Sequence, residues 1–361
     1  MASIKKRADG KYRARYRDAA GIEHARHFAR KVDAQHWLDA ETADVVSGCW
    51  VTPDKRRKTV DEWCEQWLAG YGSRRPSTQR NARAHLAKIR AEFGGYPLSA
   101  VQPSMIRSWL SRLRAEGLSV SYVFLIHARL SQLYTDAVLD GLVGANPCSR
   151  RTSPGNAKQR PYLATTEQVW GLYDEVGERY RVAVLLGAFA GLRIAEACGL
   201  RVADVDFLRR ELTPAVQWPA LPLKTAISRT TVPIADTLVS AIAAQVARYP
   251  AETVLTGAGG GQLDPHRLGR EIRHARAHVD RLPAGFRFHD LRHYYASLLI
   301  ASGADVKIVQ HRVRHASAAT TLDTYGHLWP DTDESTRTAV ERVMSAKLAE
   351  SADPLRTSGG Q

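Results

Sequence analysis

The chain has 361 residues and a mass of 40.0 kDa, which is more than one ordinary hydrophobic core and predicts two or three domains. Its hydrophobic fraction of 44% and charged fraction of 24% exclude collagen-like, low-complexity and globally disordered chains. The longest apolar run, residues 182–192, is far shorter than the ~20 residues that cross a bilayer. No apolar segment follows the basic N-terminus, so we expect no secretory signal and a cytoplasmic location.

The charge balance is strongly basic. Fifty-one Lys and Arg residues against 37 Asp and Glu residues give a formal net charge of +14 and a pI near 9.8. This excess predicts a polyanionic partner, and nucleic acid is favoured because membrane binders more often concentrate their charge on one amphipathic helix or tail. The cysteines are too scattered for a CxxC metal site or a disulfide framework, so we expect reduced thiols. They are Cys49, Cys64, Cys148 and Cys198.

The N-terminal segment predicts a small sheet with a basic face. In KYRARYRD, residues 11–18, arginines alternate with aromatic and small residues, as they do on a strand with one guanidinium face. A turn, a second strand over 22–30 and a helix over 31–46 are expected to follow. Such a sheet can enter a DNA major groove, and a solvated basic surface is the alternative. The helix residues expected to pack on the sheet are Val32, Trp37, Leu38 and Val45. The candidate DNA contacts are Arg13, Arg15, Arg17 and Arg26.

The next ninety residues have a purely helical pattern. The predicted helices are 60–69, 78–93, 104–116 and 121–140. Ser77, after Pro76, is the predicted N-cap of the second helix. Further candidate DNA contacts lie along that helix and the connection before it: Arg74, Arg75, Arg80 and Arg83. The segment SRRTSPGNAKQRP is basic and rich in Ser, Gly and Pro, which predicts a linker that can lie along phosphates.

From Thr165 onward the pattern is mainly helical, with β-branched and Pro-containing strands near 211–234. Residues 181–190 are nearly all apolar and predict a buried core helix. The chain as a whole is therefore predicted to be α+β and mainly α. Its expected parts are a sheet-plus-helix domain at 1–57, a helical domain at 58–148, a linker at 149–161 and a mixed α/β domain at 162–361.

Three separated segments of the last domain carry groups that can act on a phosphodiester without a metal. They are GLRIAEACGL with Arg193 and Glu196, FHDLRHYYASLLIASG with His289 and Arg292, and VRHASAATTLDTYGHLWPD with His315 and Tyr325. His289 and Arg292 are three residues apart and so share one face of a helix. Arginine stays protonated at any working pH and suits the extra charge of a pentacoordinate phosphate. Tyr325 is the candidate nucleophile and needs an imidazole to take its proton, because the pKa of an ordinary tyrosine is about 10.

These motifs resemble the signature of the tyrosine recombinases, the phage integrase family, with a likeness to the integrases of mycobacteriophages. The likeness rests on an Arg in G-L-R-x-x-E, an H-x-L-R-H box, a third-box His and a Tyr that follows a helix end, in that order. PLKTAISRTTVPI at 222–234 resembles the family's β-hairpin lysine segment, and GLVGANP resembles the end of its helical core-binding domain. The resemblance covers residues 58–345. The N-terminal domain is similar, more loosely, to the arm-binding domains of lambda-type integrases.

The resemblance implies a catalytic set of six residues: Arg193, Lys224, His289, Arg292, His315 and Tyr325. Attack by Tyr325 would leave a 3′-phosphotyrosine and a free 5′-hydroxyl, so that strands rejoin without ATP or any other cofactor. We expect His289 to take the proton of Tyr325 and Lys224 to protonate the departing 5′ oxygen. His315 is expected to hydrogen-bond a non-bridging oxygen of the phosphate.

The sequence departs from the family at Arg314, because Gly usually precedes the third-box His. Gly permits a left-handed backbone or a close approach of DNA, so the geometry of this turn is an open question. Arg314 removes no catalytic group, and one hypothesis is that it adds a phosphate contact.

Plainer interpretations of the same residues stay open. Arg193 can be a structural partner of Glu196, and Lys224 can be a solvated hairpin lysine. Two pairs have the spacing of metal ligands, namely His289 with Asp290 and His311 with His315. Both pairs lack further Asp, Glu or Cys ligands at suitable spacing, so we expect no metal site.

The sequence therefore predicts a site-specific recombinase that integrates phage or mobile-element DNA at attachment sites in a bacterial cytoplasm. The expected partner is double-stranded DNA with core-type and arm-type sites, bound by a homotetramer. The resemblance adds a host DNA-bending protein and an excisionase as candidate partners, and no membrane. The alternatives are a type IB topoisomerase, which relaxes DNA as a monomer, and a non-catalytic DNA-binding regulator, which would have no use for Tyr325.

A last helix is predicted over 332–348. Its apolar positions are Ala339, Val340, Val343 and Leu348. This helix can pack on its own domain or dock on a neighbouring protomer. The resemblance favours docking, because recombination needs a tetramer on two DNA duplexes.

Overall fold

The computed structural model describes residues 2–18, 21–46, 50–156, 160–223, 226–329, 337–338 and 340–345. The chain divides into two compact units, Met1–Lys158 and Gln159–Gln361, and the division falls within the predicted linker. The domain boundaries at 57 and 148 lie inside the first unit and stay predictions. The predicted α+β class with mostly helix is confirmed. Within the described ranges, no helix is both long enough and apolar enough to span a bilayer.

The first unit begins with a three-stranded antiparallel sheet covered on one face by a helix. Its elements are β1 Ser3–Lys6, β2 Tyr12–Arg17, β3 Glu23–Phe28 and α1 Lys31–Val46. Ala14 and Tyr16 are buried against Ala34 and Leu38 of α1, because alternate residues of a strand share a face. The arginine face of β2 and the bounds of α1 are confirmed. The sequence analysis missed β1, and it was wrong about Val32, which lies in the first turn of α1 and is 60% exposed.

The described part of the first unit continues with helices around a second core. They are α2 Pro53–Arg56, α3 Val60–Gly70, α4 Pro76–Phe93, α5 Pro103–Ala115 and α6 Val120–Leu139. Trp63 and Trp109 are among the residues buried in this core. The prediction that Ser77 caps α4 is wrong. The helix starts at Pro76, whose missing N–H suits the first helical position, and Arg75 stands at the N-cap, where its side chain does not cap the helix.

The second unit surrounds one apolar helix. Its described helices are α7 Thr166–Glu175, α8 Arg181–Ala190, α9 Ile194–Gly199, α10 Asp236–Arg248, α11 Pro265–Ala275, α12 Phe288–Ala301, α13 Val306–Arg312 and α14 Ala318–Tyr325. Its strands are β4 Val205–Asp206, β5 Glu211–Leu212, β6 Val216–Gln217, β7 Leu221–Pro222 and β8 Val232–Pro233. Strands β4, β5 and β8 form one antiparallel sheet, and β6 and β7 form another. The core helix predicted over 181–190 is confirmed as α8.

The packing of α8 against α12 positions the residues that follow α8. Gly187 permits the contact, because a Cβ there would lie 3.0 Å from the Leu291 side chain. Gly191 ends α8 in the left-handed region with φ 61°, where glycine is not strained. A Cβ on Gly191 would lie 2.5 Å from the Tyr295 ring, so the chain turns directly over α12. The carbonyl of Gly191 and the start of α9 thereby come to face α12.

The helix predicted over 332–348 falls partly outside the described residues. Residues 337–338 and 340–345 are helical, and Val340 and Val343 are 52% and 68% exposed. Ala339 and Leu348, which the sequence analysis also assigned to the apolar side, lie outside the described residues. What this segment contacts stays a prediction.

Candidate active site

Helix α12 contributes the buried arginine of the site. Arg292 is 1% exposed, and its Nη1 donates a hydrogen bond to the Gly191 carbonyl at 2.6 Å. Burial and the nearby positive charges of Arg193 and Arg314 lower the pKa of Arg292 to about 9, which still leaves it protonated at neutral pH. A charged group this deep is typical of a site that receives an anion.

Arg193 stands at the N-terminus of α9, where its backbone N–H and its Nη1 both donate to the Glu196 carboxylate, at 3.0 and 2.7 Å. Nη1 also lies 3.3 Å from Ser228 Oγ. The ion pair with Glu196, considered above as a structural alternative, is therefore present. It does not remove Arg193 from the surface, because the side chain stays 35% exposed while that of Glu196 is 4% exposed.

Arg314 follows α13 and its side chain does not reach the surface, which favours a structural role over the hypothesised phosphate contact. Its φ is 51°, which means that the left-handed turn expected of the usual glycine is kept. The side chain is fully buried, and Nη2 donates to Glu196 Oε2 at 2.8 Å and to the Gly191 carbonyl at 2.9 Å. The pKa of Glu196 lies below its ordinary value: burial acts to raise it, but the charges of Arg314 and Arg193 outweigh that effect.

Tyr325 ends α14 and is completely buried. Its hydroxyl lies 2.7 Å from Nδ1 of His293, one helical turn after His289. The sequence analysis expected His289 at this hydroxyl, but the structure places His293 there. The His289 ring contacts the His293 ring instead, with centroids 4.9 Å apart. The signal was in the sequence, since HDLRH puts two histidines at i and i+4 on one helix face.

His315 is the third histidine of the cluster. Its ring is parallel to the Tyr325 ring, with centroids 6.1 Å apart and an interplanar angle of 2°, and its Nδ1 lies 3.0 Å from Thr321 Oγ1. Burial, helped by neighbouring charges, lowers the pKa of His289, His293 and His315 to about 4 each, so all three are neutral at pH 7. Burial also raises the pKa of Tyr325 to about 12, which keeps its phenol protonated.

Lys224 lies outside the described residues. The turn that follows it, Ala226–Arg229, carries Ser228 and therefore lies beside Arg193. Neither histidine pair weighed as a metal site gains ligands: across the described ranges, no group of three or more His, Cys, Asp or Glu side chains is arranged to hold a metal ion.

A basic cleft that the sequence analysis missed borders His289. It has a volume of about 700 Å³ and is lined partly by α11 and the start of α12. Its basic residues are His266, Arg270, Arg273 and Arg287. The signal was the arginine spacing of three residues in PHRLGREIRHA, which puts positive charge on one side of α11.

The basic residues predicted to bind DNA in the first unit lie on exposed faces. Arg13 and Arg15 both pair with Glu23 at 3.2 Å and keep side-chain exposures of 46% and 39%. Arg17 donates to the Gly21 carbonyl at 3.0 Å. The remaining members of the predicted set are exposed as well: Arg26, Arg74, Arg75, Arg80 and Arg83. Their positions are compatible with DNA contacts, which stay a prediction.

Known proteins resemble the chain in sequence. Residues 163–331 match the Phage integrase family. The chain is 30% identical over 284 residues to the tyrosine recombinase XerC of Mycobacterium bovis, covering 73% of this chain and 91% of that protein. It is 25% identical over 320 residues to an integrase of Mycobacterium phage D29, covering 81% of this chain and 83% of that protein.

Solved structures share the fold. The Tn1549 transposon integrase in complex with transposon right end DNA superposes with a TM-score of 0.67 at 19% identity, over 80% of this chain and 100% of that chain. A lambda integrase dimer bound to a core site gives a TM-score of 0.64 at 19% identity, over 91% of this chain and 96% of that chain. From its sequence relatives and its fold, the chain belongs to the phage integrase family and is a tyrosine site-specific recombinase.

Proposed function

We propose that the chain integrates phage or mobile-element DNA at attachment sites and that Tyr325 forms the 3′-phosphotyrosine intermediate. The observation that supports this most strongly is the convergence of two arginines and three histidines on one buried tyrosine within the second unit. They are Arg193, Arg292, His289, His293 and His315. A non-catalytic DNA-binding regulator would gain nothing from this set.

Arg193 and Arg292 are the groups that we propose bind the reacting phosphate. Arg193 keeps 35% of its side chain exposed, and among the described residues no atom accepts a hydrogen bond from Nη2 of Arg292. A buried donor without an acceptor is costly, and a phosphate oxygen would satisfy it. Both guanidiniums would then stabilise the negative charge that develops as phosphorus becomes pentacoordinate. We propose that the DNA backbone approaches over the basic cleft of α11.

The proposed cleavage step moves one proton at the attacking oxygen and one at the departing oxygen. The Tyr325 oxygen forms a bond to phosphorus as the bond from phosphorus to the 5′ oxygen breaks, and His293 Nδ1 takes the phenolic proton. Lys224 is proposed to protonate the departing 5′ oxygen. His289 and His315 are left to hydrogen-bond the non-bridging oxygens. Because Tyr325 is completely buried, DNA binding has to open a path between its hydroxyl and the phosphate.

The defining experiment traps the covalent intermediate. The full chain is incubated in EDTA with a pool of nicked duplexes that carry a randomised central segment, and adducts that resist denaturation are isolated and sequenced. We expect adducts enriched in one attachment sequence. A strict requirement for magnesium, or the absence of any adduct, would contradict the proposal. The topoisomerase alternative predicts instead that a plasmid without this sequence is relaxed and that two sites are not recombined.

Replacing His293 with alanine should slow adduct formation and change its pH dependence. With its pKa near 4, neutral His293 can accept the Tyr325 proton from pH 5 upward, and Arg292 stays protonated below its pKa of about 9, so the wild-type rate should be flat from about pH 5 to 8. Without it, the phenol has a pKa near 12 and must lose its proton to hydroxide, so the rate should rise with pH. Single-turnover adduct formation across pH measures this.

His289→Ala is the matched control, one turn away on the same face of α12. It should slow the reaction but keep the flat pH profile. A steep profile for His289→Ala and a flat one for His293→Ala would return the role of proton acceptor to His289. A His293→Ala variant faster than wild type would show that this hydrogen bond holds Tyr325 back.

We propose that the N-terminal sheet reads a separate arm-type site. Replacing Arg13, Arg15 and Arg17 with alanine should remove protection of that site while protection of the core site remains. The dependence of affinity on salt should also become shallower, by about 0.9 in log–log slope for each phosphate that the variant no longer neutralises. Footprinting at several salt concentrations tests this, with Arg30→Ala, whose guanidinium pairs with Asp33, as the control. Loss of core protection in the triple variant would contradict a separable reader.

We propose that four copies act together on two duplexes in the bacterial cytoplasm. A lambda integrase tetramer bound to a Holliday junction shares the fold with a TM-score of 0.61 at 20% identity, which supports the proposal at the level of the fold. A host DNA-bending protein and an excisionase remain proposed partners, and the exposed helix at 340–345 is the proposed contact between protomers.

A further inference from the structure

Arg314 occupies a backbone position that favours glycine. Its N–H donates to the His311 carbonyl at 3.0 Å, and the next N–H, of His315, donates to the Gln310 carbonyl at 3.0 Å, so Arg314 is the left-handed residue that ends α13 and leads into His315. A side chain is strained at this φ, whereas glycine is not. A strained residue persists where its surroundings hold it in place.

The side chain of Arg314 touches the anchors of both phosphate-binding arginines. The Gly191 carbonyl accepts from Arg314 at 2.9 Å and from Arg292 at 2.6 Å. The Glu196 carboxylate accepts from Arg314 through Oε2 and from the Arg193 side chain through Oε1. Nη2 of Arg193 also donates to the main-chain carbonyl of Arg314 at 3.3 Å. One buried residue therefore contacts the partners of Arg193 and Arg292 at the same time.

Arg314 also adds a positive charge next to Glu196. The guanidinium groups of Arg193 and Arg314 pair with a single carboxylate, Glu196, and Arg292 also feels its charge, while the histidines of the cluster are neutral at pH 7. Nε and Nη1 of Arg314 find no acceptor within the part of the chain that the structure describes. With glycine at this position, Glu196 would be shared by fewer cations and would hold Arg193 alone.

We propose that Arg314 is a positioning residue for strand cleavage, a role that rests on the function proposed above. From below the site it fixes the Gly191 carbonyl and occupies Glu196 Oε2. Arg292 is thereby held in place, and Arg193 is tied to Glu196 Oε1 through Nη1 and to the Arg314 carbonyl through Nη2, while 35% of its side chain stays exposed and open to the phosphate. Arg314 itself is covered, and we place it behind these groups and not in contact with DNA.

The test compares Arg314→Gly with Arg210→Gly. Arg210 also has a positive φ, 58°, and pairs with a carboxylate, Asp236, but it is exposed and contacts none of the site residues that the structure describes. Arg314→Gly should slow adduct formation at saturating protein on the order of tenfold to a hundredfold, as expected of a residue that orients functional groups from behind them. The Kd for the same duplex should hardly change. Arg210→Gly should keep both the rate and the Kd.

Rescue separates positioning from a merely structural role. Millimolar guanidinium ion should restore part of the rate of Arg314→Gly, because it replaces the missing donors, whereas urea, which is uncharged, should not. Arg314→Lys should form the adduct more slowly than the wild type, because a lysine lacks the planar fork that reaches Gly191 and Glu196 together. The losses in Glu196→Gln and Arg314→Gly should be less than multiplicative in the double variant, because the two residues act as one unit.

A wild-type rate in Arg314→Gly, or multiplicative losses in the double variant, would overturn the positioning role of Arg314 and leave the proposed function untouched. A wild-type chain that forms no adduct would contradict both this inference and the proposed function. If Arg314→Gly proves unstable, Arg314→Lys is measured on its own: a stable lysine variant with a full rate overturns the inference, and one with a reduced rate and an unchanged Kd supports it.

Discussion

Replacing Tyr325 with phenylalanine should abolish covalent attachment to DNA. The change removes only the hydroxyl oxygen, which is the atom proposed to bond to phosphorus, while the ring keeps its place beside His293 and His315. The folded state loses one hydrogen bond, worth about 0.5–1.5 kcal/mol, so the variant should fold and bind DNA almost normally. Denaturing gels for the adduct and mobility shifts for binding measure the two effects.

Tyr295→Phe is the matched control for this variant. Tyr295 is buried in the same cluster and packs against Gly191, but no role in cleavage is proposed for it. Its phenylalanine variant should form the adduct at the wild-type rate. An adduct that survives in Tyr325→Phe and disappears in Tyr295→Phe would mean that the nucleophile has been assigned to the wrong tyrosine.

Replacing Arg292 with lysine should lower the rate of adduct formation about 100- to 1,000-fold, as does the loss of one preorganised donor from an oxyanion site. Lysine can reach the Gly191 carbonyl or the phosphate but cannot present two parallel N–H groups to both. Burial and the charges of Arg193 and Arg314 already lower the pKa of Arg292 to about 9, and an ammonium group loses its proton more readily in such surroundings. The residual rate should therefore rise as the pH falls toward 6.

Arg179→Lys is the control for Arg292→Lys. Arg179 lies in the same unit, donates to Thr256 and Gly257, and stacks 3.9 Å from the centre of the Tyr249 ring, away from the site. Its lysine variant should lose some stability and keep its rate of adduct formation. Equal losses of rate in the two variants would show that Arg292 acts through stability rather than through the phosphate.

The sequence predicted the elements whose residues interact locally. The bounds of α1 and α8 were predicted correctly, because caps and apolar runs are properties of neighbouring residues. The alternating arginines likewise predicted which residues of β2 lie on each face of the sheet. Strand β1 was missed because four residues, SIKK, give no pattern until β2 pairs with them. Val32 was misplaced because a branched apolar residue at a helix start can face either way.

The site residues likewise divide into those that local motifs identified and those whose positions depend on long-range packing. Arg193, Arg292 and Tyr325 were found by their motifs, and the structure brings the elements that carry them together. The sequence placed His289 at the Tyr325 hydroxyl, whereas the structure places His293 there, because the choice between them depends on how α14 packs against α12. The burial of Arg314 also depends on long-range packing, since its partners Gly191 and Glu196 are more than 100 residues away in the chain.

The complete burial of the Tyr325 phenol bears on how such a protein can search a chromosome. A genome offers about a million or more non-specific sites for each correct one, so a DNA-binding protein spends most of its bound time on the wrong sequence. A tyrosine open to every phosphate that passes would leave nicks along the way. In this structure the phenol is buried and protonated, so the nucleophile that we propose would be out of reach of the DNA that is scanned. Fidelity then depends on which DNA can trigger the opening, in addition to which DNA is bound.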